Sequence, residues 1–186
     1  GTGTSCCGYK GGIGTSSRQV DAGNGQYVVG ALVQSNFGGD LVVDGVPVGR
    51  LLAQEDARKQ DPGSIMIVLA TDAPLSSRQL RRLAKRAGFG LARSGSSGAH
   101  GSGDYFIAFS TTYRSRLAHG DTDEIARFAS SEGLMDPLFV AVSGAVEEAI
   151  LNSVFASDTM VGRDGNSLPG LPLRRVEELL QQYGRT

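Results

Sequence analysis

The sequence predicts a domain of the α/β or α+β class, because strand-like runs and long helical stretches follow one another in mixed order. Two observations carry that prediction. Residues 64–71 (SIMIVLAT) and 104–111 (DYFIAFST) are short, mostly apolar runs of the kind that form buried strands. Residues 136–156 and 172–184 repeat their apolar side chains at helical spacing.

The elements follow in order. The opening GTGTSCCGYKGGIGTSSR is a glycine-threonine-serine segment. Residues 26–36 (QYVVGALVQSN) are β-rich and predict a strand. Short strands are expected at 41–43 and 46–48, joined by Asp44-Gly45, a two-residue hairpin signal. Residues 50–63 (RLLAQEDARKQDPG) are polar, end in Pro62-Gly63, and predict an exposed, mobile linker. The strand at 64–71 is expected to be buried on both faces. A helix capped by Ser76 or Ser77 then runs to about Ala87, where Gly88 can end it, with Leu80, Leu83, Ala84 and Ala87 on its apolar face. Residues 95–103 (GSSGAHGSG) form a loop before the second buried strand. Asp136 and Pro137 suit the N-cap and first position of the long helix. In the last helix, from about Pro172, Leu173, Val176, Leu179, Leu180 and Tyr183 stripe one side and Gly184 can end it.

Composition bounds the function. The 186 residues suit one domain or part of a larger protein, and 40% hydrophobic with 20% charged residues favours a packed core over disorder. A net charge of −1 gives no reason to expect nucleic acid as a partner. The 27 glycines are about twice the usual ~7% share and fall in clusters without a collagen period, which points to tight loops. The apolar runs look too short to span a bilayer, which takes ~20 residues. Cys6 and Cys7 are adjacent and without a second pair, so a reducing compartment is favoured over a disulfide scaffold. The chain opens on Gly1 rather than Met, so processing, or a start partway through a longer protein, is expected.

Several candidate motifs fail on order or context. Lys10 among Gly8, Gly11, Gly12 and Gly14 lacks the Walker order of Gly-Lys-Ser/Thr opening a helix. Arg78, Arg81, Arg82, Lys85 and Arg86 read as the solvated face of an amphipathic helix. His100 beside Ser102 and Asp104 invites a triad, but triads are defined by geometry, and a loop histidine is exposed by default. His119 is the other histidine, and no metal-ligand spacing occurs.

The informative place is the Gly63-Ser64 junction, where a polar segment gives way to a rigid strand opened by a hydroxyl residue. Cleavage of that bond would give Ser64 a free α-amine, with a pKa of about 7.7–8. One residue would then supply both nucleophile and base. Spacing alone reads this serine as a turn residue.

Four segments are more specific. GTGTSCCGYKGGIGTSSR, VQSNFGGDLVVDGVPVGR, GSIMIVLATDAPLSSRQLRRLAKRAGFGLAR and GSGDYFIAFST resemble, in order, the DmpA-type L-aminopeptidase/D-esterase and β-peptidyl aminopeptidase family of self-cleaving serine hydrolases. The resemblance covers most of the chain. It implies self-cleavage between Gly63 and Ser64, with Ser64 as nucleophile, Ser102 and Asp104 orienting and tuning it, and Asn36 donating to the oxyanion. Family members vary between Glu and Asp at the acid, so Asp104 is acceptable but shorter in reach.

The resemblance further implies a layered α/β/β/α sandwich shared with the ornithine acetyltransferases. Residues 1–63 would end the α subunit and 64–186 would form the β subunit. The expected reaction is release of N-terminal residues from small peptides, amides or esters. No cofactor or metal is implied, a homo-oligomer of αβ units is expected, and neither nucleic acid nor membrane is an expected partner. Cytoplasm is the default location. Family members carry a long segment upstream of the position of Gly1, including residues that contact the substrate amine. Two other readings are an acyltransferase like the ornithine acetyltransferases, which expose threonine rather than serine, and an inactive binding or structural fragment.

Overall fold

The computed structural model describes residues 1–21, 25–55, 63–112 and 133–185. A small hairpin of β1 (Ser5–Cys6) and β2 (Tyr9–Lys10) leads into β3 (Ile13–Asp21) and β4 (Gln26–Asn36). After α1 (Val48–Glu55) come β5 (Ser64–Thr71), α2 (Ser77–Ala84), α3 (Ala87–Arg93) and β6 (Tyr105–Ser110). The long α4 (Met135–Phe155), a hairpin of β7 (Met160–Val161) and β8 (Ser167–Leu168), and α5 (Leu173–Gln182) complete the order.

The main sheet has the order β3-β4-β5-β6. The first three strands pair antiparallel and β6 joins β5 in parallel. A parallel neighbour needs a crossover, and α2 with α3 supplies it. Helix α4 lies over β3 and β4 and also meets α3. Glycines allow both approaches. A Cβ on Gly14 would stand 1.9 Å from the Ala149 carbonyl oxygen, and one on Gly90 would stand 2.5 Å from that of Ser143. Asn152 Nδ2 donates to Thr15 O at 2.9 Å and Ser16 Oγ to Ala145 O at 2.9 Å, fixing α4 on the sheet.

Strand alternation divides the sheet into two unlike faces. Val29, Ala31, Val33, Ile65, Ile67 and Leu69 are buried on the helix side. On the other side Ile13, Leu32, Met66, Tyr105, Ile107 and Phe109 are 39% to 60% exposed. This corrects the expectation that 64–71 and 104–111 are buried on both faces. One helix layer and one main sheet are present among the described residues, and the α/β class stands. The bare apolar face is the side on which the second sheet of a layered α/β/β/α arrangement would pack.

Other differences have local causes. The expected linker at 50–63 begins as helix α1, whose Leu52 is buried; residues 56–62 lie outside the described residues. Ser76 does cap α2, in a capping box with Gln79, but the helix breaks at Lys85-Arg86 and α3 runs through Gly88. Helix α4 starts at Met135, which places Asp136 and Pro137 inside its first turn, where the missing proline N–H costs nothing. Strand β3 has no counterpart in the sequence reading, because its buried positions are mainly Gly14 and Val20. The strands expected at 41–43 and 46–48 reduce to one Val43–Val46 bridge around a turn with Asp44 at φ 47° and Gly45 at φ 78°, as a hairpin turn of this kind requires.

Contrary to the expectation from run lengths, α4 has 21 residues and contains an 18-residue window of mean hydropathy 1.5, enough by length and composition to cross a bilayer. Leu138, Val142, Ala145, Val146, Ala149 and Ile150 are nevertheless buried against the sheet and α3, so here it acts as the core helix. Arg78, Arg81 and Lys85 are exposed as expected, whereas Arg82 and Arg86 lie over the Phe139 ring at 5.3 and 4.1 Å. Cys6 and Cys7 are free and buried, and the hydrogen bond between the two side chains, together with burial, pushes the Cys6 thiol well above its usual range.

Candidate active site

Asn36 is the last residue of β4 and Ser64 the first of β5, and the antiparallel register sets them opposite each other. By strand alternation Asn36 shares the face of Leu32, and Ser64 that of Met66. Both side chains therefore leave the sheet on its bare side, at one rim.

The junction residue is packed against the same asparagine. A Cβ on Gly63 would fall 2.1 Å from Asn36 O and 3.2 Å from Asn36 Nδ2. Only glycine lets the chain pass so close. The orientation of the Asn36 amide follows from its other contact. The Ser5 backbone N–H donates to Asn36 Oδ1 at 3.0 Å, and since a backbone N–H can only donate, the oxygen must face it. The Nδ2 hydrogens are thereby turned toward Gly63.

The 95–103 loop completes the site from the β6 side. Gly103 N–H donates to Ser64 Oγ at 2.8 Å, and Ser102 Oγ donates to Asp104 Oδ1 at 2.5 Å. The Ser102 N–H bonds Ala99 O at 2.8 Å, which closes the turn that presents this loop. Short hydroxyl–carboxylate bonds are among the stronger ones. Ser64 Oγ is thus held as an acceptor with its proton free, facing an amide donor and beside a serine–carboxylate pair.

The structure brings all five expected residues, Asn36, Gly63, Ser64, Ser102 and Asp104, to one rim. Among the described residues, neither Ser102 Oγ nor the Asp104 carboxylate bonds Ser64 directly; the link runs through the Gly103 amide between them. The sequence reading missed Gly103 N–H and Ser5 N–H. Backbone donors have no side-chain signature, and the only trace was a glycine between Ser102 and Asp104. His100 is exposed in the loop, and His119 lies outside the described residues. Lys10 is buried and donates to backbone carbonyls. Among the described residues no group of three His, Cys, Asp or Glu side chains is placed to hold a metal ion.

Comparison with known proteins shows the family. The model of peptidase family S58 matches residues 1–168. The β-peptidyl aminopeptidase BapA of Sphingosinicella microcystinivorans is 40% identical over 202 residues, covering 100% of this chain and 51% of its own length. Among solved structures, the PH0078 protein from Pyrococcus horikoshii OT3 superposes with a TM-score of 0.89 at 46% identity, over 100% of this chain and 51% of its own. The L-aminopeptidase D-Ala-esterase/amidase of Ochrobactrum anthropi, described as a prototype of the serine aminopeptidases with a variant Ntn hydrolase fold, gives 0.87 at 38% identity, over 99% and 51%. The chain spans about half the length of the curated relatives it matches, 51% and 49%.

Proposed function

Since this chain belongs to peptidase family S58, we propose that the protein is an N-terminal-serine hydrolase that frees its own nucleophile by cutting between Gly63 and Ser64. The observation that carries this reading is the placement of Ser64 Oγ on Gly103 N–H, opposite Asn36 and against Gly63. In the first step Ser64 Oγ attacks the Gly63 carbonyl carbon. The C–N bond breaks, the amine takes the proton that the hydroxyl gave up, and an ester joins Gly63 to Ser64. Water then hydrolyses the ester. The Gly63 carboxylate leaves, and Ser64 regains its hydroxyl beside the amine freed in the first step.

That amine, with a pKa of about 7.7–8, can accept the hydroxyl proton in later turnovers. The Asn36 amide serves as donor to the developing oxyanion, a role typically worth about 2.7–4 kcal/mol. Ser102 and Asp104 orient the nucleophile and its amine. The cut would divide the chain into 1–63 and 64–186, yet the β4–β5 ladder from Val29–Thr71 to Asn36–Ser64 would keep both parts in one sheet.

The substrate class in this reading is a small peptide, amide or ester with a free N-terminus, and the relatives' descriptions as aminopeptidases support it. We infer assembly of several αβ units, a cytoplasmic location and no nucleic-acid or membrane partner as parts of the same proposal. The acyltransferase alternative has no support in the matched family, and Ser64 stands where that reading wants threonine; the intact site also disfavours an inactive fragment.

The test is N-terminal sequencing and denaturing electrophoresis of the purified full-length protein beside Ser64→Ala. The wild type should yield a new terminus at Ser64 and hydrolyse amino-acid p-nitroanilides, and the variant should stay whole and inactive. A folded wild type without that terminus, or a variant with unchanged turnover, overturns the proposal.

A further inference from the structure

Lys10 is a buried cation held only by backbone carbonyls among the described residues. Its side chain is 7% exposed, and among the described residues no carboxylate pairs with it. Its Nζ donates to Gly1 O at 2.7 Å, to Thr4 O at 3.3 Å, and to Gly11 O. Two of these carbonyls already have another donor. Gly1 O accepts from Thr4 Oγ1 at 2.8 Å and Thr4 O from Gly11 N–H at 3.0 Å, whereas the one proton of Ser157 Oγ has its shorter bond to Ser153 O, at 2.7 Å, which leaves Gly11 O to Lys10. Burial also lowers the pKa of this ammonium, the sign of a charge that is costly to keep dry. A costly charge that reaches a Thr4 carbonyl already satisfied by another donor calls for another role.

The covalent path indicates one. Thr4 C=O and Ser5 N–H belong to the same peptide unit. Lys10 donates to its oxygen, and its N–H donates to Asn36 Oδ1. A positive charge on the oxygen side polarises the unit and makes its N–H a stronger donor, because hydrogen bonds in a chain reinforce one another. Donation into Asn36 Oδ1 in turn polarises the carboxamide and makes Nδ2–H a better donor toward the Gly63 side. It also holds the amide against rotation.

We propose that Lys10 is a positioning residue that acts through the Thr4–Ser5 peptide on Asn36, holding and polarising the side-chain amide that meets the oxyanion. The inference rests on Asn36 being the oxyanion donor. It makes the glycine-rich opening segment part of the catalytic apparatus: Lys10 anchors the segment, and Ser5 N–H is its point of contact with the site.

The experiment compares full-length wild type, Lys10→Met, Lys10→Arg and Ser5→Pro, each alone and with Asn36→Ala. The readouts are the first-order rate of Gly63–Ser64 cleavage, and kcat and KM on an amino-acid p-nitroanilide. Lys10→Met removes the charge and leaves the Gly1 and Thr4 carbonyls their other donors, and a melting curve checks that the fold holds. Ser5→Pro keeps Lys10 and deletes the N–H that reaches Asn36, while its ring fixes φ at position 5, so the same melting curve is taken for it. Both variants should lower the cleavage rate and kcat by about 10-fold, the lower range for partners that act through a functional group, with KM unchanged. Lys10→Arg should recover part of the loss. In the Asn36→Ala background neither Lys10→Met nor Ser5→Pro should cost anything more.

Wild-type rates in folded Lys10→Met overturn the inference, as do equal losses with and without Asn36. If Lys10→Met does not fold, the lysine is structural and the inference also falls; Ser5→Pro then tests the Ser5–Asn36 contact alone. A wild type that neither cuts itself nor turns over refutes the hydrolase reading instead, so the two failures are told apart.

Discussion

Gly63→Ala is the sharpest test of why the scissile bond sits where it does. The added Cβ would lie 2.1 Å from Asn36 O and 2.9 Å from Asn36 C, both backbone atoms at the end of a paired strand. Real contacts of this kind are essentially never under 3.0 Å, so the junction must retreat by at least 3.0 − 2.1 = 0.9 Å. Retreat carries the Gly63 carbonyl away from both Ser64 Oγ and the Asn36 amide. A displacement of about 1 Å from attack geometry costs on the order of 10²-fold in rate. The rate of appearance of the Ser64 terminus, followed by intact mass after purification at low temperature, should therefore fall about 100-fold. Stability should change little, because the ladder from Ile65 inward is untouched. Gly101→Ala is the control in the neighbouring loop, since its Cβ would meet nothing within 4 Å. Wild-type maturation in Gly63→Ala, or an equal delay in Gly101→Ala, would refute the steric argument.

Asn36→Ala should lower kcat by about 10²–10³-fold with the fold intact, the usual loss for one oxyanion donor, read from steady-state kinetics. Asp104→Asn leaves Ser102 Oγ without its charged acceptor, so kcat should drop while the melting temperature moves little. Ser76→Ala removes the capping box of α2 and should cost about 1 kcal/mol, or roughly 2–4 °C in Tm, by calorimetry. For Lys10 the sign follows from linkage. Its folded pKa is lowered by burial, so the unfolded chain holds the proton more tightly. The stability of wild type relative to Lys10→Met should therefore rise as pH climbs through the lowered folded pKa toward the ordinary 10.5, and level off above it. The groups facing this ammonium are the Gly1, Thr4 and Gly11 carbonyls, none of which titrates. Denaturant melts of the two proteins across that range would expose an error of sign.

What the sequence made legible follows from where side chains carry the information. Strands β4 and β5 stand out because Val29, Val33, Ile65, Ile67 and Leu69 repeat at strand period on a buried face. The site was legible only through the family resemblance: Asn36 and Ser64 end and begin those two strands, but strand ends by themselves single out neither, and spacing reads Ser64 as a turn residue. Strand β3 was not readable, since α4 lies so close that Gly14 replaces an apolar signal. Helix α1 hid in a polar stretch because, from Arg50 onward, Leu52 alone is buried among its described side chains. The amides of Ser5 and Gly103 were invisible for a different reason: every residue but proline carries one, and only the fold says which of them is aimed.

The same two-faced sheet sets the proposed chemistry on one of its faces. Asn36 and Ser64 leave the sheet on the side of Leu32 and Met66, not on the side packed by α4. The residues that hold them, Ser5, Gly63 and Gly103, are all in β1 or in the turns and loops at the rim of the same sheet. A patch of large apolar side chains this extensive is stable in water only when something packs on it. Whatever layer covers Ile13, Leu32, Met66 and Ile107 also walls the space in front of Ser64 Oγ, because the nucleophile and the patch share one face. On the proposed reading, a substrate would lie between that layer and the rim, with Ser64, Asn36 and the groups that hold them on one side of it.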